Sequence, residues 1–238
     1  MRSRILLKAL AFIFVSIGIP AHAQQNNMDS LLLRLREFSN IPGVSVERIE
    51  KTHKYVDLGL SVKWATCNVG ADRPEDYGNY YCWGNTEPRT DDAEWLLISD
   101  QKVFNDTDSI LDLKYDAAHV NWGGSWRMPT YAEQAELSNT DNCSWTWYGK
   151  GNTEFGGIAG YKVQSRKAGY TDKFIFLPAA GYRDSDGPEY IGNGGYYWSS
   201  SADTGLSDIV NLLTIFPEKH GSWSSSRYRG FSVRPVCP

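Results

Sequence analysis

The residues able to do covalent or metal chemistry are few. After the N-terminal segment the chain offers four cysteines, Cys67, Cys82, Cys143 and Cys237, and three widely spaced histidines, His53, His119 and His220. Structural zinc sites draw on closely spaced pairs, typically Cys-x-x-Cys, and no such pair occurs here. The even cysteine count instead suits disulfides, with three possible pairings, or four buried free thiols. There is no His-Glu-x-x-His helix, no phosphate-binding glycine loop and no Gly-x-Ser-x-Gly elbow. Arg127 has no partner in sequence that would make it a catalytic cation. The chain is therefore read as non-enzymatic and without a cofactor. Calcium is the one ion to weigh: in "RDSDGPE", Asp184, Asp186 and Glu189 surround Gly187 and carry oxygen ligands. The same residue types also make an ordinary solvated turn. "NDTDSILD" is a weaker version of this pattern.

Binding is the chemistry the side chains suit better. The stretch "ADTGLSDIVNLLTIFPEKHGSWSSSRY" mixes aromatic, amide, acidic and hydroxyl groups, with Asp203, Asp208, Asn211, His220, Trp223 and Tyr228 as candidate ligand contacts in or beside turns. Tyrosine and tryptophan give rigid contact area at low entropic cost, and serine and glycine give adaptable hydrogen bonding. Trp198 and Trp223 equally suit a core, where aromatics usually lie.

Elements must position these groups. In "GGSWRMPTYAEQAEL" (Gly123 to Leu137), Gly123 and Gly124 stop a short helix begun near Asp116, and Trp126 and Met128 cross in an extended segment. Pro129 keeps the next residue extended. Thr130 followed three residues later by Glu133 then forms a capping box that starts a second helix. Elsewhere "YVDLGLSVKWATCNVG", "GYKVQSR", "KFIFLPAAGYR", "EYIGNGGYYWSSS", "DIVNLLTIF" and "YRGFSVRPV" are short, aromatic or β-branched, and bounded by turn residues. Two short helices amid such strands predict an α+β domain with a mostly antiparallel twisted sheet.

The chain opens with Arg2 and Arg4, an apolar run from Ile5 to Ile19 and Ala21-His22-Ala23, the pattern of a secretory signal peptide over residues 1–23. An uncleaved anchor is the alternative, though the run is short for a membrane span and contains Lys8. Removing residues 1–23 deletes Arg2, Arg4 and Lys8 and no acid, taking the net charge from -4 to -7. An acidic chain is a poor match for nucleic acid or an anionic membrane. Residues 24–52 read as a linker with a short amphipathic helix carrying Leu31, Leu32, Leu35 and Phe38 on one side. Residues 53–238 form the folded domain, exported to the periplasm, the outer surface or the medium.

Five motifs in order, "YVDLGLSVKWATCNVGA", "NWGGSWRMPT..E..EL", "FLPAAGYRD", "GGYYWSSS" and "GFSVRPV", resemble the Fibrobacter succinogenes major paralogous domain family over residues 53–238. That family looks like a variant of the C-type lectin fold and is distantly similar to formylglycine-generating enzymes. The resemblance implies a compact domain whose first and last strands pair, with long loops on one face; that would bring Cys67 near Cys237, with Cys143 at the end of the second helix competing for either, so the pairing stays open. Members usually carry counterparts of Cys67, Cys143 and Cys237, while the position of Cys82 is often small. The enzyme relatives use two cysteines near the C-terminal end for copper, and here only Cys237 lies there. The sulfoxide-synthase relatives need a three-histidine iron site that these histidines cannot supply. The calcium-binding lectin loops "EPN", "QPD" and "WND" are absent as well. What remains is an exported recognition module that binds a protein or glycan at a C-terminal loop face. The alternatives are a structural or accessory subunit of a cell-surface assembly, docked through residues 24–52, and a degenerate formylglycine-generating-like enzyme.

Overall fold

The computed structural model describes residues 53–89, 109–184, 187–203 and 208–238. The signal peptide and amphipathic linker expected over residues 1–52 lie outside them. The strands in chain order are β1 (Tyr55–Val56), β2 (Lys63–Ala65), β3 (Tyr80–Tyr81), β4 (Cys143–Tyr148), β5 (Gly160–Ser165), β6 (Phe174–Pro178), β7 (Tyr182–Asp184), β8 (Gly187–Glu189), β9 (Gly195–Ala202), β10 (Ile209–Phe216), β11 (Lys219–Ser226), β12 (Phe231–Ser232) and β13 (Val236–Cys237). Two α-helices, α1 (Ala117–Trp122) and α2 (Tyr131–Ser138), lie between β3 and β4. The fold is mixed α+β with mainly antiparallel pairing, as the sequence predicts, but the strands make four sheets rather than one. The largest has the order β11-β10-β9-β12-β3; β4-β5-β6, β1-β2-β13 and β7-β8 are separate. Among the described strands only the β9–β12 neighbours run parallel.

Both helices begin where local chemistry demands. Asp116 caps α1 by accepting from the N–H groups of Ala118 (2.8 Å) and His119 (3.0 Å), which satisfies donors that have no intrahelical partner. Gly123 ends the helix at φ 72°, a conformation that costs glycine little. At α2 the Thr130 hydroxyl accepts from the Glu133 N–H, and the Glu133 carboxylate accepts from the Thr130 N–H at 2.7 Å. The Glu133 carboxylate also holds Arg127 through two short contacts, 2.8 and 2.6 Å. Arg127 thus finds its partner across the turn and serves the shape of the motif.

Burial works against the Glu133 carboxylate, but Arg127 and the Thr130 N–H more than offset it and hold its pKa below the usual range. A depressed carboxylate pKa contributes stability that is present above the unfolded value, about 4.3, and lost as pH falls through the folded one. Glu133→Gln is expected to cost about 2 kcal/mol at pH 7 and to flatten the acid limb of the stability curve below about pH 4. Urea melts of both proteins from pH 3 to 7 measure it.

The central sheet is buried on both faces because β10 alternates between two cores. Val210 and Leu212 join Trp198, Phe231, Met128, Ala117 and Ala118 on one side. Leu213 and Ile215 join Tyr197, Trp64, Leu137, Val163, Leu177 and Val236 on the other. Period-two placement in a strand makes this division unavoidable. α2 is fixed to the sheet by Gln134, whose amide donates to the Tyr197 and Trp198 carbonyls at 3.0 and 3.1 Å.

β2 pairs with β13, with Trp64 opposite Val236 and Lys63 opposite Cys237. The first hairpin and the final strand therefore share one sheet.

Candidate functional site

The β10–β11 hairpin runs in unbroken register from Ile209 opposite Ser226 to Phe216 opposite Lys219. β10 is internal and apolar, whereas β11 is an edge strand of sequence Lys-His-Gly-Ser-Trp-Ser-Ser-Ser. Trp223 stands at its middle, opposite the fully buried Leu212, yet is itself 62% exposed. Ser222 and Ser224 take the other face, opposite Leu213 and Asn211.

A shallow depression of about 330 Å³ lies here, lined by Tyr131, Asn211, Ser222, Trp223 and Ser224. Tyr131 comes from the first turn of α2 and is 41% exposed, held there because the capping box fixes where the helix begins. Its main-chain N–H donates to the Ser201 hydroxyl at 3.0 Å, tying the helix start to β9. Asn211 is anchored through its main-chain carbonyl, which accepts from Ser199 Oγ at 2.6 Å, and its amide reaches the Ala202 carbonyl at 3.4 Å. The floor is therefore rigid, while the indole and the serine hydroxyls face solvent.

The other candidate contacts distribute around this hairpin. Asp208 and Tyr228 meet at its open end, the phenol donating to Asp208 Oδ1 at 3.4 Å. Asp203 lies nearby, its N–H donating to the Ile209 carbonyl. His220 does not join them. It lies within β11 rather than in a turn, stacks on Trp145 with 4.0 Å between ring centres and meets Tyr161 edge-on. Burial there pulls its pKa below the ordinary histidine value. Trp223 is likewise mid-strand, which corrects its placement in or beside a turn.

Tyr131, Ser222 and Ser224 were missed by sequence reasoning. Ser222 and Ser224 flank Trp223 with strand periodicity, so reading β11 as a strand would have placed them on one face. The capping box likewise marks Tyr131 as the first helical residue.

The four cysteines are free thiols, so the bridge suggested by their even number is not seen. Each has separate surroundings. Cys143 is buried in the second core, where burial pushes its thiol up to about 11. Cys82 donates to the Tyr228 carbonyl at 3.1 Å. Cys237 sits in β13 opposite Lys63, and Cys67 contacts the Thr66 hydroxyl at 3.5 Å.

The acidic β7–β8 hairpin is engaged by cations and a phenol. Asp184 is 3.6 Å from Arg229 and 4.0 Å from Arg89, and Glu189 accepts from the Tyr182 hydroxyl at 2.6 Å. Asp186 and the acids of "NDTDSILD" up to Asp108 lie outside the described residues. Among the described residues no three His, Cys, Asp or Glu side chains converge as a metal site, and no helix is long and apolar enough to cross a membrane.

No family model, curated protein or solved structure matches the chain.

Proposed function

We propose that this chain is an exported, non-enzymatic recognition module of C-type-lectin-like fold, and that it binds a glycan in the depression between α2 and β11. The observation that carries the reading is Trp223, an indole 62% exposed at the middle of its strand, opposite the fully buried Leu212. An exposed indole costs solvation unless something covers it, and its flat face suits the C–H face of a sugar ring. Asn211, Ser222 and Ser224, on the other face of the hairpin, line the same depression, and their side-chain types match the donor and acceptor pattern of sugar hydroxyls. Pairing of β2 with β13, two short helices and mainly antiparallel sheets support the lectin-like reading.

Binding of the full chain to a glycan array and to a panel of surface proteins, with and without calcium, tests this. Trp223→Ala with Tyr131→Ala is expected to weaken glycan binding by roughly tenfold or more, as loss of an aromatic anchor does, with an unchanged melting curve. A chain that binds no glycan, or a double variant that binds as well as the parent, overturns the proposal. Capture of a protein alone would make the ligand a polypeptide.

A further inference from the structure

β11 is eight residues long and pairs with β10 on one side; among the described residues no strand pairs with its other side. Among the described residues, its outward N–H and C=O groups therefore meet no strand. Natural sheets blunt such edges with proline, bulges, short length or inward charges. β11 has none of these: it contains no proline, its register with β10 is unbroken, and no charged residue lies between His220 and Ser226.

We infer that β11 pairs antiparallel with β11 of a second copy of this chain, joining two five-stranded sheets about a two-fold axis. The strand is complementary to itself. A two-fold axis perpendicular to the sheet preserves faces, so only registers that oppose odd to odd and even to even positions are allowed. The register centred on Ser222 sets Trp223 of each copy opposite Gly221 of the other. Gly221, at φ 151°, has nothing within 4 Å where a side chain would stand. One flank of the exposed indole of each copy therefore packs over the bare glycine of the other, the arrangement by which aromatics stabilise glycine in sheets, and its outer face is left for the glycan. Lys219 falls opposite Ser225, and His220 opposite Ser224. The next allowed register, centred on Trp223, would set Lys219 against Arg227 of the second copy, placing like charges in opposition. This pairing also brings the two depressions side by side across the axis, since Ser222 and Ser224 share the face that lines them.

Sedimentation velocity of the full chain over a concentration series is expected to show a dimer. Ser222 meets its own counterpart on the axis, so Ser222→Lys alone, or Ser222→Asp alone, opposes like charges there and raises the dissociation constant by roughly tenfold or more. An equimolar mixture of the two variants is expected to regain the dimer as a heterodimer, an outcome that misfolding of either variant cannot produce. A natural chain that stays monomeric throughout overturns the inference and leaves the edge to a strand from a different protein. Variants that remain dimeric alone, or that fail to recombine although each keeps the native melting curve, overturn it too. Glycan binding enters none of these readouts, so this inference and the proposed function fail independently.

Discussion

Arg234→Met is expected to cost the domain about 4 kcal/mol, measured by urea denaturation at pH 7. The guanidinium is 1% exposed. It donates to the Ala65 and Thr66 carbonyls at 3.1 and 3.0 Å, to the Phe176 carbonyl at 2.9 Å and to Asn68 Oδ1 at 2.8 Å. Burial lowers its pKa, while Tyr197 and Cys67 act in the opposite sense. One side chain thus satisfies the end of β2, the following loop and β6 at once. Methionine fills much of the volume but leaves these oxygens buried and unpaired, each costing about 1–3 kcal/mol where no water reaches. Arg234→Lys separates charge from geometry: a lysine keeps a cation but lacks the planar fork that reaches divergent acceptors. It is expected to recover only part of the loss. A methionine variant as stable as the parent would show that the four acceptors find other donors.

Trp198→Ala is expected to be still more costly, about 5 kcal/mol, from lost packing and a cavity together with an unpaired carbonyl. Trp198 is fully buried and its indole N–H donates to the Tyr81 carbonyl at 2.7 Å. Trp83 answers it in reverse, donating to the Ser199 carbonyl at 2.8 Å. β9 and β3 are not neighbours, because the two-residue strand β12 lies between them. The two indoles therefore link the strands on either side of β12, and Phe231 of that strand packs on Trp198 with 4.3 Å between ring centres. Trp198→Phe keeps most of the packing and loses the hydrogen bond, so it is expected to cost about 2 kcal/mol. Equal losses for the alanine and phenylalanine variants would refute a packing contribution. Thermal and urea denaturation of the three proteins gives the comparison.

Much of this architecture was legible before any coordinates. The capping box at Thr130 and Glu133, the Asp116 helix and its stop at Gly123 are local events, decided by residues within one turn of each other. Apolar strands such as β6, β9 and β10 announced themselves for the same reason. β11 did not: serine, glycine and histidine carry little strand preference, and the strand exists because β10 offers it a complete ladder. β4 was missed as well, although its "CSWTWY" is aromatic, because the end of α2 runs into it with only a short turn. The candidate site suffered from the same gap. Trp223 and Asn211 were identified by residue type, but Tyr131 comes from a helix some 90 positions away, and only tertiary packing could join them. The partner of Arg127, by contrast, lay six positions on and went unrecognised because Glu133 already had a role in the cap.

The pairing of β2 with β13 has a kinetic meaning. Lys63 Nζ donates to the Pro238 carbonyl across 175 positions of sequence, and Arg234 reaches back 169 positions to Ala65. Contacts so distant must be made against the full entropy of closing the loop between them, and chains built on such contacts fold slowly. β2 emerges early in synthesis and waits without its neighbour until nearly every other strand has appeared. During that interval Trp64 has no Val236 to cover it, which makes the nascent chain prone to wrong associations. Closure of the domain is therefore a late event, made after its other strands have formed, rather than one that proceeds segment by segment.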